Sequence, residues 1–395
     1  VFTPIPEILN ELRQGKMIVL VDDEDRENEG DLVLPAQFVT PDAVNALTRL
    51  AGGYLCLSLT EADCDRLNLH PQTALNTTVR GTPFTVSIDA HPRHGVSTGI
   101  SAADRATTIK LAADPAATAE DFVRPGHINP LRSRDGGVLV RFGQTEGSVD
   151  LCRLAGLRPA ALIIEIIRED GQMARRPDLD AMCKQHGWKM CSVEQIIEHR
   201  LRQERLVKRI EPAAGTTIHT PEGPFNLIAF ESVVDPLPQI ALTVGGVGLP
   251  DARGNPVEDP RPTLVRMHRG NLLGDVFADT ASSKEGPTAL ALRESMRQIQ
   301  KEGRGAVVYL RPRSGGTADT LAQRLDAART TSPGTEPASI AAMQSPMLQR
   351  DFGIGGQILR ELGLSKLRLL TNHPRDLPGL DAFGLEIVEH VPLRW

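Results

Sequence analysis

The segment "VDDEDRENEGD", Val21–Asp31, sets seven carboxylates (Asp22, Asp23, Glu24, Asp25, Glu27, Glu29 and Asp31) around the single Arg26. Like charges about 4 Å apart repel by roughly 4 kcal/mol at an effective dielectric near 20. A folded chain holds such a run only beside a cation, by sharing protons, or in open water. The flanks are apolar: "MIVLV" (Met17–Val21) and "LVLPA" (Leu32–Ala36) read as short strands. The acidic run is therefore expected to be a loop pinned at both ends. An EF-hand register starting at Asp23 fails, because its sixth residue is Asn28 rather than Gly and its twelfth is Leu34 rather than Glu. Two readings remain: a solvated charge run, and a Mg²⁺ or Mn²⁺ site in which one or two carboxylates bind the ion while others handle protons.

The rest of the chain alternates helix and strand patterns without a strict βαβ rhythm. Helices are expected at "PEILNELRQGK", "PDAVNALTRLA", "TEADCDRLNL", "AADRATTIKLAAD" and, as one long helix, "SVEQIIEHRLRQERLVKRI". Strands are expected at "GGYLCLSL", "PFTVSIDA", "GGVLVRFG" and "ALIIEII". This predicts an α+β (mixed α/β) domain with a mixed sheet and flanking helices. The loop-like "EPAAGTTIHTPEGP" marks a boundary, giving domains 1–208 and 209–395. The second is expected to be α/β, with strands at "FNLIAFESV", "QIALTVGG", "AVVYL" and "KLRLLTNHP" and helices at "ALALRESMRQIQKEG" and "FGIGGQILRELGL".

Composition narrows the partners. A net charge of −6 with no basic stripe, and 4% aromatic residues, argue against nucleic acid. The most apolar run, "ALIIEII", is short and broken by Glu165, so no membrane span is expected. The first residues have neither a basic start nor an apolar stretch, and the five cysteines (Cys56, Cys64, Cys152, Cys183 and Cys191) form no framework; a cytoplasmic protein is expected. Every cysteine lies in the first half.

"DDEDRENEGD" resembles the acidic loop of 3,4-dihydroxy-2-butanone 4-phosphate synthase. "GVSTGISAADRATT", "RPGHINPLR", "GGVLVR", "TEGSVDL" and "EDGQMAR" follow in the family's order, across about residues 5–205. The resemblance implies conversion of ribulose 5-phosphate to dihydroxybutanone phosphate and formate, a homodimer, and a Mg²⁺ or Mn²⁺ cofactor. It implies Glu27 as a metal ligand, Arg26 and Asp31 as substrate contacts, and His127 and Glu165 as acid–base groups. Glu165 also stands out by itself, since a carboxylate inside an apolar run suits proton transfer; a strand-edge Glu facing water is the plainer alternative. Asp22, Glu24, Glu29, Thr98 and Cys56 are weaker candidates for the same pocket. In "RFGQTEG", Arg141 and Thr145 match substrate contacts, whereas Gln144 replaces the family's metal-binding His. Gln144 can offer a carbonyl oxygen to a hard ion but cannot act as an acid or base.

The second half resembles GTP cyclohydrolase II in "TPEGPF", "VRMHRGNLLGDVF", "EGRGAVVYLR" and "LRLLTNHP". That family opens the imidazole ring of GTP with a zinc-activated water held by three cysteines. Here Asn271 takes the first cysteine's place, "DTASSKEGPTA" contains no Cys-x-Cys pair, and no zinc is expected. Tyr309, Arg311 and Arg350 match family residues, while Leu348 replaces an acid and "PRSGG" a Gln-Glu-Gly-Arg run. The expectation is a lyase with a degenerate cyclohydrolase-like domain. The alternatives are a relative acting on another phosphorylated sugar and a non-catalytic partner of the pathway.

Overall fold

The protein is described by a computed structural model for residues 2–23, 26–78, 81–232, 235–252, 254–280, 283, 286–311, 345–374 and 383–394. Two compact units divide between His199 and Arg200.

In the first unit the apolar run after helix α1 (Ile5–Arg13) forms β1 (Ile18–Val21), and the acidic loop returns the chain as β2 (Gly30–Pro35), antiparallel to it. Then come α2 (Pro41–Ala51), β3 (Cys56–Leu59), α3 (Glu61–Arg66), β4 (Ile88–Ala90) and α4 (Ala102–Ala113). The chain continues through β5 (Phe122–Arg132), α5 (Gln144–Leu154), β6 (Ala161–Glu165), α6 (Arg176–His186), β7 (Lys189–Ser192) and α7 (Val193–Gln203). The strands make one mixed sheet in the order β4-β5-β3-β6-β2-β1-β7.

Side chains alternate across a strand, and this decides where the site lies. Val19, Val21, Leu32, Leu34, Leu57, Leu59, Leu162 and Ile164 point into one core, joined by Val44 and Leu47 of α2 and Ala106 and Ile109 of α4. Their neighbours, Leu20, Asp31, Val33, Cys56, Ile163 and Glu165, therefore face the other side. There α5 crosses β1, β2, β3 and β6. A Cβ on Gly147 would stand 2.9 Å from Leu20 Cδ2, so glycine lets α5 lie close to the sheet.

Two expectations need correcting. "GGVLVRFG" is not a strand: Gly137–Leu139 is a 3-10 turn. Gly136 and Gly137 take positive φ of 86° and 60°, and Val138 N donates to Asp150 Oδ2 of α5 at 2.9 Å, in place of a strand ladder. Nor does one helix run to Ile210. It stops at Gln203, where buried Gln357 donates to the carbonyls of Leu201 and Glu204 and accepts from Leu206 N. Those bonds end the helix and free the chain for β8 (Val207–Arg209).

In the second unit β8 pairs with β10 (Gly223–Ser232), as does β9 (Thr216–Thr220). The sheet runs β15-β14-β12-β13-β11-β10-β8, with β11 (Asp235–Val244), β12 (Thr263–Arg269), β13 (Gly305–Leu310), β14 (Lys366–Leu370) and β15 (Glu386–Val391). Helices α8 (Leu272–Phe277), α9 (Thr288–Glu302) and α10 (Ser345–Glu361) complete it. "GGVG" (Gly245–Gly248) is a turn.

Candidate active site

The acidic loop is ordered by its own polar groups. Asp22, at the end of β1, accepts from Glu27 N (3.1 Å) and Glu29 N (2.8 Å), which folds the loop back on itself. Arg175, just ahead of α6, donates to the carbonyls of Glu27 (2.8 Å) and Asn28. Arg26 Nη1 is the centre of the set: Asp22 Oδ2 lies at 2.7 Å, Glu27 Oε2 at 2.8 Å and Gln144 Oε1 at 3.0 Å. Three oxygens thus converge on one cationic nitrogen. Among the described residues no three His, Cys, Asp or Glu side chains are grouped to hold a metal, and the third oxygen here is an amide. Glu27 and Gln144 bring a carboxylate and an amide oxygen to the same guanidinium, and oxygen donors of this kind fit Mg²⁺ or Mn²⁺.

Gln144 and Thr145 are buried at the first turn of α5, whose N-cap, Gly143, offers no side-chain cap. A Cβ on Gly143 would lie 2.5 Å from Arg141 Nη1 and 3.2 Å from Arg26 Nη2. The glycine admits two guanidinium groups beside a helix N-terminus, an arrangement suited to an anion. Arg141 also pairs with fully buried Glu146 at 2.7 Å. Burial pushes the Glu146 carboxyl up, and Arg141 opposes that shift.

Strand register brings the remaining candidates into a row. Asp31 on β2 is the cross-strand partner of Glu165 on β6. Cys56 on β3 faces Ile163 of β6 and Asn129 of β5. Carried back two residues, this register sets Tyr54 level with Glu165 and His127, and Tyr54 N donates to Glu165 Oε2 at 2.8 Å. At about 5 Å per strand, His127 is roughly 10 Å from Glu165 along the row, and Asp31 is one strand beyond. Burial, then the charges of Glu165 and Asp22, hold the Asp31 carboxyl well above the usual carboxylate range. Its Oδ1 is buried without a hydrogen-bond partner. Glu29 is raised by burial and by Glu27. Burial, with Glu165 and Asp31, also keeps the Cys56 thiol protonated.

The acidic-loop set joins Asp22, Arg26, Glu27, Glu29 and Gln144, with Arg141 beside them; the sheet row joins Asp31, Cys56, Glu165 and His127. Thr98 is exposed beside Gly99, which touches His127. Glu24 lies outside the described residues. Reading the sequence did not single out Arg175 or Asp89, whose Oδ2 is 2.7 Å from His127 Nδ1. Asp89 carries the same signal as Glu165, a carboxylate within a strand pattern ("PFTVSIDA").

In the second unit, Asn271 caps α8 by accepting from Gly274 N at 3.0 Å, and its own N–H donates to Asp275 at 2.8 Å. Asp275 also binds buried His268 (3.0 Å) and Tyr309 Oη (2.9 Å). A small cavity is lined by Asp235, Gln239, Arg311, Arg350 and Asp351. Arg350 is engaged with Asp351, at 2.7 Å. The "PRSGG" stretch lies outside the described residues.

A row of carboxylates and a histidine thus lies on one sheet face, beside a cluster of carboxylate and amide oxygens and a helix end flanked by two guanidinium groups. Residues 6–199 match the family model of 3,4-dihydroxy-2-butanone 4-phosphate synthase, and residues 211–392 that of GTP cyclohydrolase II. The riboflavin biosynthesis protein RibBA of Aquifex aeolicus is 45% identical, covering 100% of this chain and 93% of that protein. RibBA of Mycobacteroides abscessus is 43% identical, over 98% and 90%. The crystal structure of RibBX, a two-domain 3,4-dihydroxy-2-butanone 4-phosphate synthase from A. baumannii, superposes with a TM-score of 0.74 at 33% identity, covering 95% of this chain and 96% of that one. The chain belongs to the RibBA family of riboflavin biosynthesis proteins, with a dihydroxybutanone phosphate synthase domain followed by a GTP cyclohydrolase II domain.

Proposed function

We propose that the first domain is a working synthase, turning ribulose 5-phosphate into 3,4-dihydroxy-2-butanone 4-phosphate and formate, and that the second is silent as a cyclohydrolase. The convergence of Asp22, Glu27 and Gln144 oxygens on one cationic nitrogen carries the first half. Glu27 and Gln144 are the residues that would hold Mg²⁺ or Mn²⁺, with Asp22 beside them. A bound divalent ion supplies polarisation of the substrate ketone and a grip on its vicinal hydroxyls. Gln144 keeps the oxygen lone pair that such an ion needs and gives up only the basicity of the family's histidine.

The chain's own groups do the rest. Arg26, Arg141, Thr145 and the first turn of α5 hold the substrate phosphate. Asp31, whose carboxyl burial pushes up, contacts a substrate oxygen. His127 and Glu165, both on the face beneath α5, take up and return the protons of enolisation and dehydration. Thr98 and Cys56 line the pocket.

For the second domain, zinc has no thiolate to bind, since no cysteine follows Cys191. Asn271, in the place of a zinc ligand, is committed to capping a helix.

The test incubates the purified chain with ribulose 5-phosphate and Mg²⁺ and follows formate by proton NMR. Formate from the unmodified chain and none from Glu27→Ala is expected. No formate from folded, metal-loaded protein would end the proposal.

A further inference from the structure

We propose that Arg175 is a positioning residue for Glu27: the hairpin that follows β6 carries it back to the acidic loop, where it holds the backbone in the shape that presents the Glu27 carboxylate to a divalent cation. The inference rests on the reading of Glu27 as a metal ligand. Its origin is "EDGQMAR", Glu169–Arg175, a stretch that resembles the synthase family but has no group assigned to the chemistry. Backbone bonds tie this stretch to the site. Ile166 N, next to Glu165, donates to Gly30 O at 2.9 Å, and Ala174 N donates to Ile166 O at 3.0 Å. Between them Arg168 N donates to Gln172 O at 2.8 Å, and Gly171, at φ +82°, turns the chain back. The turn delivers Arg175 beside the loop that Gly30 closes.

There Arg175 Nη1 donates to Glu27 O at 2.8 Å and to Asn28 O. Asn28 has a φ of +54°, a minority conformation for a residue with a Cβ, and the carbonyls on either side of its Cα converge on the one nitrogen. Leu179, one turn along α6, fixes the exit of the loop: a Cβ on Gly30 would stand 2.5 Å from Leu179 Cδ1. The same fold of the backbone brings Glu27 N and Glu29 N to Asp22, and Glu27 Oε2 to 2.8 Å from Arg26 Nη1. Among the described residues Arg175 pairs with no carboxylate, so its bonds shape the loop rather than neutralise it.

Shape and charge predict opposite signs. The Arg175 charge is felt at Glu29, so losing the charge alone would draw a divalent cation in more tightly. Losing the brace leaves the loop to be ordered on binding, and the affinity falls by the fraction of time the loop keeps its competent shape. The discriminating variant is Arg175→Met in the full chain, which keeps the stem of an exposed side chain and removes its donors. Mn²⁺ titrated alone, with the free ion read by electron paramagnetic resonance, gives a Kd that needs no turnover. The expected Kd rises by about tenfold, and the Mn²⁺ needed for half-maximal formate release rises with it. Arg176→Met removes a neighbouring charge that faces Phe2 and Asp180 instead of the loop, and its Kd should stay within about twofold or fall. A Kd that is unchanged or lower in folded Arg175→Met would overturn the proposal. Glu27→Ala separates the brace from the reading beneath it. Unchanged Mn²⁺ affinity there would end both, whereas affinity lost in Glu27→Ala and kept in Arg175→Met would end the brace alone.

Discussion

Arg141 has two duties that one substitution separates. It stands beside Arg26 at the anion-ready end of α5, and it is the counterion of Glu146, whose side chain has no exposed surface. Arg141→Met removes the charge and keeps most of the bulk. Glu146 is then left with Arg134 N as a donor at 3.2 Å and no cation. A buried charge stripped of its partner costs about 3–5 kcal/mol, but Glu146 can escape by taking a proton. At pH 7 that escape costs about 1.4 kcal/mol per unit over the roughly 2.7 units above an ordinary glutamate, or about 3.7 kcal/mol. Burial already holds Glu146 above the ordinary range with Arg141 in place, so the increment is smaller, about 2–3 kcal/mol. The sign follows from linkage. In the variant Glu146 binds a proton on folding, so the penalty is absent below the unfolded value near 4.3 and grows as pH rises towards the folded one. Urea unfolding followed by Trp188 fluorescence, in a Trp395→Phe background, should give a deficit well below about 1 kcal/mol near pH 5 and of about 2–3 kcal/mol near pH 7.5. Adding Glu146→Gln should recover most of it, while formate release stays low because the anion contact is still missing. A deficit that ignores pH, or one below about 1 kcal/mol near pH 7.5, would refute the reasoning.

Gln144→Ala deletes one of the three converging oxygens; the Mg²⁺ concentration for half-maximal formate release should rise by at least about tenfold with the melting temperature unchanged. Arg175→Gln frees the carbonyls of Glu27 and Asn28, so amide exchange across Glu27–Glu29 should quicken by about tenfold while α6 keeps its protection. Gly147→Ala gains about 1 kcal/mol of helix propensity but presses a methyl group on Leu20, a conflict worth about 1–3 kcal/mol; a net loss near 1 kcal/mol in the Trp188 urea assay is expected, and a gain would mean that α5 can retreat from the sheet.

What the sequence disclosed depended on whether a residue's role was local. The acidic loop was legible because its charges are contiguous and its flanks are plainly strands, which the structure has as β1 and β2. Glu165 was legible because a carboxylate interrupts an apolar run, and it lies at the end of β6. The "QTEGSVDL" helix was not foreseen. Its apolar face is narrow because buried Gln144, Thr145, Glu146 and Ser148 occupy it, with Gln144 met by Arg26, Glu146 by Arg141 and Ser148 by the Thr145 carbonyl. β5 was hidden in the same way, since Pro125, Gly126 and Pro130 argue against a strand until the bulge at Asp89 is known. Arg175 and Asp89 act across 148 and 38 residues of sequence, and one chain alone carries no signal for such pairings. The left-handed glycines at 136 and 137 outweighed the apolar pattern of "GGVLVRFG".

The most direct test supplies ribulose 5-phosphate, GTP and Mg²⁺ together to the purified full chain and follows one proton NMR sample. The account predicts a growing formate line matched by loss of ribulose 5-phosphate, while the imidazole proton line of GTP persists undiminished. Loss of the GTP line with ribulose 5-phosphate untouched would contradict both halves of the account, and loss of both substrates would restore the second domain as an enzyme.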